Sequence, residues 1–217
     1  MRTVLLAVTA TLLAFPAQGA SGPVLRIDFS NPGLTPSQWS MVIHPDGSGH
    51  FHAERGIAPV AAPEIMEPGN VDRDILLSEP FASRVFQTAH DQRLLSGACE
   101  SHMKVAFQGW KKISYSGPDA QGGCQFNYSR DKEIQELGDS LVAVASTIIE
   151  GVRLEMLLQH DPLGLDKEME FLTEAEKDGR VQQICAIRGI LERLEGDSAV
   201  LDRVRKRARQ LLGEQEK

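Results

Sequence analysis

Three histidines stand close together near the start of the chain, at His44, His50 and His52 in the segment HPDGSGHFH. Three imidazoles can hold a zinc ion and leave one position open for water. The spacing H-x5-H-x-H matches no strict zinc motif, so it becomes chemical only if the chain folds back between His44 and His50. Residues Pro45 to Gly49 are turn formers. A three-residue turn at 46–48 sets His44 opposite His50, with His52 two residues along the same face. A zinc-bound water there would make the protein a metal-assisted hydrolase. The plain alternative is three solvated imidazoles on a half-exposed hairpin.

Cys99 and Cys124 are the second chemical pair. Between them Met103, Val105 and Phe107 alternate with Lys104 and Gln108, and Ile113 and Tyr115 continue the apolar set. Alternate residues of a strand share a face. A turn at Gln108-Gly109-Trp110 would put Val105 opposite Ile113 and Met103 opposite Tyr115. Cys124 has the parity of Phe126 and Tyr128, and Cys99 that of Met103, so both thiols fall at one end of a buried face. The expectation is a Cys99–Cys124 disulfide; the alternative is two buried free thiols. With strands in the order 103–107, 111–115, 124–128, the outer two lie roughly 9.6 Å apart, beyond the reach of about 7 Å that a disulfide allows. Cys99 must then fold inward ahead of its strand, or the strand order must differ. Cys185 reads as a buried free thiol.

The third feature is the basic run Arg203, Arg205, Lys206, Arg207 and Arg209 against Asp202. It suits docking on an anionic surface or an envelope protein, or a solvated helix face paired with acids such as Glu192 and Glu195. The sequence holds no G-x-S-x-G, H-E-x-x-H, C-x-x-C or phosphate-binding glycine loop, and no catalytic residue is assigned. The net charge of −7 argues against general nucleic-acid binding.

The elements that position these residues begin after residue 19. Arg2, the apolar run Val4–Phe15 and the small residues Ala17-Gln18-Gly19 read as a secretory signal peptide, too short for a stable membrane span; an uncleaved anchor is the alternative. Export implies an oxidising compartment, secreted or periplasmic, which favours the disulfide. No later apolar run approaches transmembrane length. Strands are expected at 24–29, 38–44 and 50–54, then a long connection over 56–78 carrying Glu64, Glu67, Asp72 and Asp74. A helix over 80–95 opens on Pro80, and the three strands of the cysteine region follow. From Ser129, taken as a cap, apolar residues at helical spacing (Ile134, Leu137, Leu141, Ala145, Ile148, Val152) predict a long central helix ending near His160. Further helices are expected at 165–177, 181–195 and 198–212. Asn127-Tyr128-Ser129 has the form of a glycosylation sequon.

The resulting fold class is α+β: an antiparallel sheet with one packed helix, followed by an α-helical C-terminal half. The expected division is a signal peptide at 1–19, a sheet domain at 20–129 and a helical region at 130–217 packed on it. The phrases SYSGPDAQGGCQFNYS, LQHDPLGLDKEMEFL and VRKRARQLL resemble an uncharacterised family of secreted bacterial proteins over roughly residues 99–212. The resemblance implies a bacterial envelope setting. No activity is attached to that family, so it implies no functional residues. The expected role is non-catalytic, a protein or envelope interaction, with the zinc hydrolase on His44, His50 and His52 as the alternative.

Overall fold

Leu25, Ile27 and Phe29 alternate with Arg26, Asp28 and Ser30 in strand β1 (Val24–Ser30), and the period of two sends the first set into the core and the second outward. The computed structural model describes residues 22–56, 68–118 and 120–214; the expected signal peptide lies outside them, as do Glu64 and Glu67. Five more strands follow the same rule: β2 (Gln38–Ile43), β3 (Ser48–Glu54), β4 (Val71–Leu76), β5 (Trp110–Ser116) and β6 (Gln121–Phe126). They form one antiparallel sheet in the order β4-β3-β2-β1-β5-β6. Helix α1 (Glu79–Asp91) buries Phe81, Val85, Phe86 and Ala89 against the inner face. There Phe86 meets Tyr115 edge-on with ring centroids 6.3 Å apart.

Four helices make the C-terminal half: α2 (Lys132–His160), α3 (Leu165–Lys177), α4 (Arg188–Gly196) and α5 (Asp202–Glu214). The fold is α+β, as expected. Helix α2 has 29 residues and is about 43 Å long. Its first half places Ile134, Leu137, Leu141, Val144 and Ile148 in the core under the sheet. Its second half places Leu154 and Leu157 in a separate core with α3, α4 and α5. One rod therefore carries two hydrophobic cores, which is why so much of its circumference is apolar.

Several expectations are corrected. The connection over 56–78 contains strand β4, in which Val71 and Ile75 face inward while Asp72 and Asp74 face out. Residues 103–107 form no strand, and Val105 does not pair with Ile113; Cys124 of β6 does. His102 has a left-handed φ of 54°, which an extended strand cannot hold. The cap of α2 is Asp131, whose carboxylate accepts the N–H groups of Glu133 and Ile134. Ser129 instead accepts the N–H of Asp131 through its hydroxyl. The expected helix over 181–195 is a short 3-10 turn at Ile184–Ile187 leading into α4, and α5 begins at Asp202 rather than 198. Asn127 is buried and its side-chain NH₂ donates to Ala106 O, so it serves the fold rather than presenting a glycan.

The disulfide is present: Cys99 and Cys124 are bonded with Cα atoms 5.8 Å apart. The distance objection disappears because the chain ahead of β5 runs as a loop, not as an outer strand.

Candidate functional site

The outward face of the sheet is polar from edge to edge. The registers of the five strand pairs line up Asp72, His52, Ser40, Asp28, Lys112 and Gln125 in one row across it. A second row holds Asp74, His50, Val42, Arg26 and Ser114. On the other side of the first row lies a shallow depression of about 430 Å³ lined by Asp28, His52, Glu54, Trp110 and Lys112 among others, with Arg26 at its edge.

The histidines do not gather as expected. His44 N–H donates to Ser48 O and Val42, not His44, is the partner of His50. The turn is Pro45-Asp46-Gly47, with Gly47 at φ 82°. A side chain there would strike the backbone of Leu77, so the position suits the left-handed residue that closes a three-residue hairpin loop. This shifts the register by two residues and leaves His44 two pairs away from His50. His50 and His52 turn instead to the acids of β4. Nδ1 of His50 lies 2.9 Å from Asp74 and Nδ1 of His52 2.9 Å from Asp72. Asp74, together with Asp72, raises the His50 pKa above its ordinary value, and His52 holds Asp72 low. The attraction binding β4 to β3 at His50 is thus full below about pH 6.5 and fades as pH rises through the raised His50 value. Among the described residues no group of three His, Cys, Asp or Glu side chains is arranged to hold a metal ion.

Asp72, His52 and Ser40 stand in the order of a hydrolytic triad. Nucleophile activation requires the far imidazole nitrogen within about 2.6–3.2 Å of the hydroxyl. Among the described residues no hydrogen bond joins His52 to Ser40. Nε2 of His52 faces Glu54, 3.9 Å away.

The cations of α5 are each met within the chain. Arg203 and Arg207 pair with Asp166 of α3, at 2.6 and 2.7 Å, Arg205 and Lys206 with Asp202, and Arg209 with Glu195. Arg203, above all, holds Asp166 below the usual carboxylate range, and Lys206 does the same to Asp202. Glu192, an expected partner, pairs with Arg188 instead. Cys185 is free and half-buried, and burial pushes its thiol pKa up.

A buried acid pair joins α2 to α3. Glu150 and Glu168 share Arg153, whose Nη1 lies 2.8 and 3.1 Å from them. Burial first, and Glu168 second, push Glu150 up to about 8. Burial also acts to raise Glu168, but its bonds to Glu150 and Arg153 outweigh it and hold Glu168 low. The pair thus holds one proton, on Glu150, at neutral pH.

The loop leading into β5 is built differently from all of these. Met103, Val105, Phe107 and Trp110 are 38–50 % exposed, though burying what remains of each would gain roughly 1 kcal/mol. The loop is nevertheless held firmly. The disulfide fixes its start. Glu100 accepts the N–H groups of Asn127 and His102, at 2.6 and 3.0 Å. Burial of Glu100 favours its neutral form, but these N–H bonds outweigh that and keep the carboxylate charged. Asn127 in turn accepts from Gln108 N–H at 2.7 Å and donates to Ala106 O. Gly109, at φ 114°, passes so close over Phe29 that a Cβ would strike the ring. A bonded loop presenting its apolar side chains outward is a surface shaped for contact. The alternation of Met103, Val105 and Phe107 was visible in the sequence, but alternation does not say which side faces water. No known protein family matches the chain, and no curated protein is significantly similar to it.

Proposed function

We propose that the protein is exported and acts without catalysis, as a docking protein of the bacterial envelope whose contact surface is the loop Met103–Trp110. The observation that carries this reading is the exposure of four large apolar side chains on a loop fixed by a disulfide and by the Glu100–Asn127 bonds. A loop that could collapse onto the core would bury them; this one is anchored so that they stay out. The N-terminal run of Val4–Phe15 followed by small residues supports export, and a disulfide suits an oxidising compartment. Among the described residues no helix is long and apolar enough to cross a membrane.

Fractionation of the exporting host tests the reading. The expected result is a mature protein beginning near Ala20 or Ser21 that travels with the envelope fraction, and a Phe107→Ser/Trp110→Ser variant of equal stability released from it. Envelope association unchanged in that variant would refute the assignment.

A further inference from the structure

We infer that the surface this loop docks on is an anionic lipid bilayer, with Phe107 and Trp110 seated at headgroup depth and Lys104 and Lys112 against lipid phosphates. The inference rests on the docking reading above and names its partner.

Three observations separate a lipid surface from a protein groove. The first is the placement of charge within the apolar row. Residues 101–112 contain no Asp or Glu, in a chain whose net charge is −7, and Lys104 and Lys112 are exposed. Lys104 sits between Met103 and Val105, inside the row. Lysine is depleted from the centre of protein interfaces. At a membrane interface its stem lies along apolar groups while its ammonium reaches the phosphates. Each lysine near an anionic leaflet strengthens binding by roughly fivefold.

The second is the aromatic pair. Phe107 and Trp110 meet edge to face with centroids 6.1 Å apart. They form a compact wedge with an apolar body and one indole N–H, the composition that settles at the boundary between acyl chains and headgroups. The third is the flank. Trp110 and Lys112 stand side by side on the outward face of β5; Arg26 across β1 is held by Asp28 at 2.6 Å, so the charge offered to phosphates is that of Lys104 and Lys112, next to the indole. The remaining lysine of the segment, Lys111, is spent internally: its ammonium lies 3.3 Å from Asp139 and over the Phe126 ring.

The test uses the mature full-length protein and two vesicle preparations. One contains phosphatidylethanolamine with phosphatidylglycerol, the other phosphatidylcholine alone. The chain has two tryptophans, and Trp39 is buried and stacked on Phe29 at 5.0 Å, so a blue shift on adding vesicles reports Trp110. The expected result is partition onto the phosphatidylglycerol vesicles, read by co-sedimentation and accompanied in the wild type by that blue shift; co-sedimentation is weakened about tenfold or more in Phe107→Ser/Trp110→Ser. Lys104→Gln/Lys112→Gln, which leaves the apolar row intact, weakens it by roughly 25-fold, and raised salt weakens the wild type. The inference is overturned if the wild type ignores phosphatidylglycerol vesicles, binds both preparations equally, or binds as well without Phe107 and Trp110. If it ignores vesicles while the Phe107→Ser/Trp110→Ser variant is still released from native envelopes, the partner is a protein and the docking reading stands alone. If that variant also stays on native envelopes, the docking reading falls with it.

Discussion

The loop Met103–Trp110 and helix α5 both stand out in the sequence, one for its apolar alternation and the other for its five cations, and the structure treats them in opposite ways. Every cation of α5 finds a carboxylate within the chain, from α3, α4 or its own first turn. The apolar residues of the loop find no such cover among the described residues and stay 38–50 % exposed. The difference lies in what each kind of group requires. A charge is satisfied by one well-placed neighbour, and an acidic chain offers many. An apolar side chain is satisfied only by area, and the loop's anchors at Cys99, Glu100 and Asn127 hold it away from the core.

The largest expected effect comes from releasing those anchors. The bridge spans a sequence separation of 25, for which chain entropy gives roughly 3 to 4 kcal/mol. Cys99→Ala/Cys124→Ala should lose stability on that scale in urea melts. Amide exchange should quicken over 100–109 and stay unchanged in α5. An equal quickening in both regions would mean that the loop and the helical half are not independently held.

The next effect belongs to the helical half alone. Glu150 is raised from its ordinary 4.5 to about 8, so between those values the folded protein holds a proton that the unfolded chain releases. Its contribution to stability therefore falls as pH rises from about 5 to about 8. Glu168, held low, is charged in the folded and unfolded chain alike over this range, so the slope belongs to Glu150. The loss should be on the order of 3 kcal/mol. Glu150→Gln, which resembles the protonated acid, should flatten the profile. Wild type and variant sharing one slope in urea melts across that range would contradict the proton assignment.

The fold was legible where burial and period agree. Leu25, Ile27 and Phe29 announce β1, and the spacing from Ile134 to Val152 announces α2. The oxidising compartment implied by the N-terminal run points to the Cys99–Cys124 bond, whereas the parity of Cys99 rests on a strand over 103–107 that does not form. Three features needed tertiary information. Strand β4 hides behind Asp72 and Asp74, which read as a solvated charge run until His50 and His52 are seen opposite them. The register that separates His44 from His50 depends on Gly47 closing the hairpin one residue early. The direction of Met103, Val105 and Phe107 depends on Asn127, far along the chain, taking the backbone groups of Ala106 and Gln108. Glu150 gave no signal, because a glutamate within an apolar stripe is ordinary until Glu168 is folded against it.

The smallest expected effect comes from the other half of the comparison. Replacing Arg205, Lys206 and Arg209 with Gln breaks exposed ion pairs, which contribute little. The melting temperature and envelope association should both stay close to those of the wild type. Loss of association in this variant would transfer the docking role to α5.

The most direct test is a hydrogen–deuterium exchange footprint of the mature protein on isolated native envelopes. Docking through the loop predicts new protection confined to about residues 101–112, with α5 exchanging as it does in free protein. Protection over α5 with an unchanged loop would contradict the account.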